Sequence, residues 1–130
     1  MNGAAGQRVI GFAADHDKRI IICRASGVVS RADVLGYIDA KRQAGVCGYA
    51  ELFDARDIVV DLSISDLPVI GEAMRSSMAG QKPAKTAVVT NSAFIYGLAK
   101  RYAEVTRADN PEFKVFTDYA EASTWVNGDE

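Results

Sequence analysis

The residues best suited to chemistry in this chain are Asp54 and Arg56, which close the run Glu51-Leu52-Phe53-Asp54-Ala55-Arg56. An acid and a base so close together could hold a polar ligand group. The structural alternative is that Asp54 satisfies backbone amides or pairs with a nearby base. Further along, Ser92 and Tyr96 lie at the start of a helical pattern. Tyr96 could hydrogen-bond a ligand or simply pack at the rim of the core, and Ser92 fits a helix cap as well as a ligand contact. Met74 falls on one helical face with Leu67, Gly71 and Met78, and methionine-rich surfaces adapt well to apolar ligands, though such a stripe also suits a plain core. Val59, within Ile58-Val59-Val60, belongs to a segment too apolar for an ordinary surface loop, as a lid over that face would be. Ser63 and Ser65 are candidate phosphoacceptors before a helix, where the dipole tolerates negative charge; capping is the simpler role. Asp118 reads as a helix cap.

Several kinds of chemistry lack their residues. His16 is the single histidine and has no cluster of carboxylates or thiols beside it in the sequence, so no metal site is expected. It has no nucleophile partner for acyl transfer either. Glycine-rich phosphate loops of the GxGxxG or GxxxxGK type do not occur. Cys23 lies inside an apolar strand pattern, Cys47 stands before Gly48, and the two lack a CxxC spacing. A non-enzymatic protein without a cofactor is therefore expected.

Elements must position these candidates. The chain has 130 residues, one domain's worth, with 48% apolar and 25% charged residues and a net charge of −2. Its lysines and arginines are scattered, which argues against nucleic acid. Residues 1–7 are small and read as a flexible tail without the basic start and apolar stretch of a signal peptide, and residues 8–127 as a single domain. No apolar run is long enough for a transmembrane helix, and a cytoplasmic location is the default expectation.

Strands are expected over Arg8–Ala14 and Arg19–Ala25, joined by the polar turn Asp15-His16-Asp17-Lys18 as an antiparallel hairpin. Ile20-Ile21-Ile22-Cys23 is apolar on both faces, as in a central strand covered on both sides. Gly27-Val28-Val29 leads into a helix capped by Ser30 with Asp33, which buries Val34, Leu35, Tyr37 and Ile38 and stops at Gly45. A strand follows over about Tyr49–Asp54. A second helix runs from Asp66 to Ala79 with Ser65 as its cap, Leu67, Ile70, Met74 and Met78 on one face, and Gly80 and Pro83 at its end. A strand over Thr86–Thr90 precedes a third helix to about Ala108 with the inner stripe Ile95, Leu98, Tyr102 and Val105. A strand over Phe113–Phe116 leads to a short helix opened by Asp118 and Glu121, with Tyr119, Ala122, Trp125 and Val126 inward. The order is ββαβαβαβα, an α/β fold with a mixed sheet of four or five strands and four helices. Gly36, Gly71 and Gly97 lie inside helices at a cost of about 1 kcal/mol each against alanine, which close packing or a cavity would explain.

This order, with Gly27-Val28-Val29-Ser30, Glu51 to Arg56, Ala87-Val88-Val89-Thr90, Tyr96-Gly97-Leu98-Ala99-Lys100-Arg101 and Phe113-Lys114-Val115-Phe116, resembles the SpoIIAA-like branch of the STAS domains. The resemblance covers about Arg8 to Val126 and implies a non-enzymatic role in binding partner proteins, nucleotides or apolar ligands. STAS domains that antagonise anti-sigma factors carry an Asp-Ser-Ser/Thr-Gly type motif before helix two. Here the matching stretch reads Asp61-Leu62-Ser63-Ile64-Ser65-Asp66, without it.

Ligands of open α/β sheets sit outside the carboxyl ends of the parallel strands. That edge would be built from Ser26, Gly27, Asp54 to Asp57, Thr90 to Ser92, Thr117 and Asp118. Two functions follow as expectations. One is a regulatory domain that binds a small apolar or amphipathic ligand between helix two, helix three and Ile58–Val60. The other is a protein-interaction module whose apolar segment meets a signalling partner or a second copy of the chain.

Overall fold

The computed structural model describes residues 9–78, 80–81 and 84–128. The tail over residues 1–7, the start of the first strand at Arg8, and the parts of Ala79 and Pro83 in ending helix two lie outside them.

Nine elements follow in the order β1 (Ile10–Asp15), β2 (Ile20–Ser30), α1 (Arg31–Ala44), β3 (Ala50–Asp61), α2 (Asp66–Met78), β4 (Thr86–Val89), α3 (Ala93–Val105), β5 (Phe113–Phe116) and α4 (Tyr119–Asn127). Spatial order equals sequence order, β1-β2-β3-β4-β5. β1 is antiparallel to β2, and every later pairing is parallel.

Local signals set most element ends. Ser30 and Asp33 form a reciprocal capping box on α1, and Gly45 ends that helix at φ 73°, a left-handed conformation that favours glycine. Ser92 caps α3 through the Ile95 amide, and Asp118 caps α4 through the Glu121 amide. The expected Ser65 cap on α2 is not the arrangement found. The Ser63 and Ser65 hydroxyls bond each other at 2.8 Å, and the Asp66 carboxylate takes the Ser63 amide at 2.9 Å.

Strand alternation divides the side chains between two layers. Ile21, Cys23 and Ala25 of β2 and Phe53 of β3 face the layer that holds Tyr37 of α1. Ile20, Leu52, Ala87 and Val89 face α4, where they meet Ala122 and Val126. α1, α2 and α3 line the first face side by side; α4 covers the second alone, resting on β3, β4 and β5.

Ile58-Val59-Val60 is not a loop. It is the second half of β3, paired with Gly27-Val28-Val29, which extends β2 in the same way. Because β4 reaches only the Glu51–Asp54 part of β3, the ends of β2 and β3 run on as a two-stranded ribbon. A register shift at the ribbon's base fits three steps on β3, Asp54 to Asp57, against two on β2, Arg24 to Ser26. Such an extra residue reverses which side chains point inward. Above the shift Ile58 and Val60 pack on the core, while Val59 is 67% exposed beside Val28. Without that shift Val59 would face the core.

The inner stripe of α3 also departs from expectation at its end. Ile95, Leu98 and Tyr102 face inward, but Val105 is exposed and Thr106 is buried instead. Thr106 abuts α2 at Gly71, where a Cβ would come within 3.0 Å of the Thr106 Cγ2. Close packing thus explains Gly71. It does not explain Gly36 or Gly97, which are exposed and have open space around them.

Candidate functional site

The residues singled out on the expected sheet edge do not assemble into one site. Asp54 and Arg56 form a closed pair, with Nε to Oδ1 and a terminal guanidinium nitrogen to Oδ2 both at 2.8 Å. The Arg56 side chain also lies over the Tyr119 ring, 4.9 Å from its centroid. The guanidinium bonds hold the buried Asp54 carboxyl below its ordinary range. Asp54 therefore sits in mid-strand, its acceptors satisfied, where the expectation was an open strand end. Ser92 serves as the α3 cap, and the half-buried Tyr96 lies one turn further on with Lys100 beside its ring. Ser63 and Ser65 are exposed. A phosphate on Ser63 would meet the Asp66 carboxylate, already 3.3 Å from its hydroxyl, and be repelled.

Of these candidates, Met74 alone lines the open-sided cavity between the three helices and the sheet. That cavity measures about 160 Å³. α1 contributes Val34, Tyr37, Ile38 and Lys41; α2 contributes Leu67, Ile70 and Met74; α3 contributes Ile95, Leu98, Ala99 and Tyr102. Phe53, Val88 and Phe113 form its floor, and Ile58 and Val60 of the ribbon close one end. A second cavity of about 320 Å³ adjoins it, lined by Cys47, Tyr49, Gly71, Met78 and the turn after α3. The two share Glu51, Met74, Thr86, Tyr102 and Asn110 as lining residues.

A buried polar cluster forms part of the wall. Lys41 is 2% exposed and Glu51 5%, so neither charge has water to screen it. The Lys41 Nζ donates to Glu51 Oε1 at 3.1 Å, lies 3.8 Å from Met74 Sδ, and sits 4.6 Å from the centroid of the Tyr37 ring. The Tyr37 hydroxyl donates to the other oxygen of Glu51 and meets the Cys23 thiol. Burial first, and then the Glu51 carboxylate, push both the Cys23 thiol and the Tyr37 phenol far up, so both stay protonated. The same two causes raise Tyr102. Phe12 and Phe53 hold the Tyr37 ring edge-on at 6.1 and 5.7 Å.

Sequence reasoning passed over Lys41 and Glu51, although a signal for both was present. Lys41 continues the inward stripe Val34, Tyr37, Ile38 by one turn, and Glu51 alternates with Phe53 on β3. A lysine and a glutamate each placed on an inward face call for one another, since a buried charge must be paired.

Among the described residues, no group of three or more His, Cys, Asp or Glu side chains could hold a metal ion, and no helix is long and apolar enough to cross a membrane. No protein-family model matches the chain, and no curated protein matches it. Among solved structures, the chain is similar to an uncharacterized protein of the DUF3478 family with a SpoIIAA-like fold, from Shewanella loihica PV-4. The two share 15% identity, with 96% of this chain and 99% of that one covered and a TM-score of 0.61. The fold of this chain is SpoIIAA-like.

Proposed function

We propose that this chain is a cytoplasmic, non-catalytic binding domain that takes a small apolar or amphipathic molecule in the cavity between α1, α2, α3 and the sheet. The cavity itself carries this reading. An open-sided cavity of about 160 Å³ with almost wholly apolar walls leaves apolar surface against water, and an apolar ligand would remove it from water. A binding role also fits the cluster at the wall. The thiol and phenols near it stay protonated, and the lysine and glutamate are engaged with each other, so among the described residues no free nucleophile or base faces the cavity.

Native mass spectrometry of freshly purified protein tests this. A persistent added mass of small-molecule size is expected, and it should vanish in Ala99→Phe, which fills the cavity. A clean unliganded mass, with no stabilisation by any small apolar compound, would sink the reading.

A second reading rests on the ribbon. Val28 and Val59 are neighbours across the β2–β3 pairing and are 60% and 67% exposed, on a stretch that β4 does not reach. Such a surface suits a signalling partner or a second copy of the chain. Its test is the mass in solution across a range of concentrations. Self-association there would be abolished by Val59→Asp, and a monomer at every concentration would rule out the second copy.

A further inference from the structure

We infer that the molecule bound in this cavity is a small neutral one of about benzene's size that carries a single hydroxyl, such as a benzylic or short aliphatic alcohol. This rests on the cavity reading above and adds size, charge and polar group to it.

Size comes from volume. An apolar cavity of about 150 Å³ holds one benzene, and the present one is about 160 Å³. A long acyl chain exceeds that space and would have to pass Glu51, Tyr102 and Asn110 into the second cavity.

Charge comes from the wall. Lys41 and Glu51 are the charged residues lining the first cavity, and they neutralise each other. A ligand carboxylate would be repelled by Glu51 and would have to take Lys41 from it. A ligand ammonium would have to displace Lys41. Either exchange leaves a buried charge without its partner.

The polar group comes from Asn110 and Tyr102, which line both cavities where they adjoin. The Asn110 Oδ1 is buried and has no hydrogen-bond partner among the described residues. A leucine there would avoid that cost, so the amide calls for a partner. The Tyr102 phenol is kept protonated by burial and by Glu51 and can donate or accept. A hydroxyl is the smallest neutral group that can give its proton to one of these residues and accept from the other. It serves equally if the Asn110 amide is turned end for end.

Three probes of one shape test this: toluene, benzyl alcohol and benzoate, titrated into the intact protein and followed by calorimetry and by shifts in the unfolding temperature. Toluene and benzyl alcohol are expected to bind and benzoate not to. Asn110→Leu should weaken benzyl alcohol roughly fivefold or more, as expected for an unpaired buried hydroxyl, and leave toluene within about twofold. Should Asn110→Leu fail to fold, Tyr102→Phe provides the same contrast. If toluene binds but benzyl alcohol does not, or if benzyl alcohol binds the variant as well as it binds the unaltered protein, the hydroxyl inference falls and the apolar cavity reading stands. Tight benzoate binding overturns the neutral-ligand claim. If none of the three binds, the cavity reading fails and this inference with it.

Discussion

On the α4 face of the sheet, Leu52, Ala87, Val89, Ala122 and Val126 are all apolar and all buried, Ala87, Val89 and Ala122 completely. On the opposite face, three helices and the sheet border an open-sided cavity, and a lysine, a glutamate, a tyrosine and a cysteine contact one another. The difference follows from what covers each face. One short helix presenting a small residue can settle directly onto a sheet strand that also presents one. Three helices, each tied to its own pair of strands, must satisfy one another as well as the sheet, and α2 meets the end of α3 closely where Gly71 admits Thr106. The α4 face is thus filled by packing, its buried Asp54 closed off by Arg56, and the other face has room to recognise something.

The largest effect that would sharpen this contrast is loss of the buried cation. Lys41→Met strands the Glu51 carboxylate in the interior and should cost about 3–5 kcal/mol in urea unfolding. Replacing both, as Lys41→Met with Glu51→Leu, should recover most of that loss. If the single variant is nearly neutral, the pair is not dry and the contrast between the faces weakens.

A matched pair of enlargements comes next. Ala122→Leu on the packed face should cost about 1–3 kcal/mol by overpacking. Ala99→Leu on the cavity face enters available space and should be neutral or stabilising. Equal losses at the two positions would mean that the cavity is already filled.

The two faces should also answer differently to pH. Asp54, on the α4 face, has a lowered pKa when folded, so it adds stability above its unfolded value near 3.8 that is lost as the pH falls through the folded value. Cys23 and Tyr37, on the cavity face, have raised values. Above their unfolded values of 9.0 and 10.0 the unfolded chain releases protons that the folded one keeps, so stability falls as the pH rises. Urea midpoints measured against pH should show both limbs. Asp54→Asn should flatten the acid one and Cys23→Ala part of the alkaline one. A Cys23→Ala profile unchanged above pH 9 would contradict the placement of the thiol.

The smallest effects concern the helix glycines. Gly36→Ala and Gly97→Ala, both in open space, should each stabilise by up to about 1 kcal/mol. Gly71→Ala should destabilise, since its Cβ would press on the Thr106 methyl. Stabilisation at all three positions would show that α2 and α3 can move apart freely.

The order of elements and the caps of α1, α3 and α4 could be read from residues alone because those signals are local. Ser30 with Asp33, Ser92, Asp118 and Gly45 each act within one turn of helix. The helical stripes of α1, α2 and α4 were legible for the same reason. Two things were not. Ile58-Val59-Val60 becomes a strand because Gly27-Val28-Val29 lies beside it, about thirty residues earlier in the chain, and each looks like a loop without the other. Which of its valines faces the core depends on one register shift, and nothing in the order of the residues marks that. Lys41 and Glu51 look like surface residues taken singly, and Asp54 and Arg56 look like a free reactive pair. Only the packed chain reveals that the first two share a dry interior while the second two are already bonded to each other. Periodicity and capping are properties of neighbours along the chain, whereas pairing, parity and burial belong to residues that folding alone brings together.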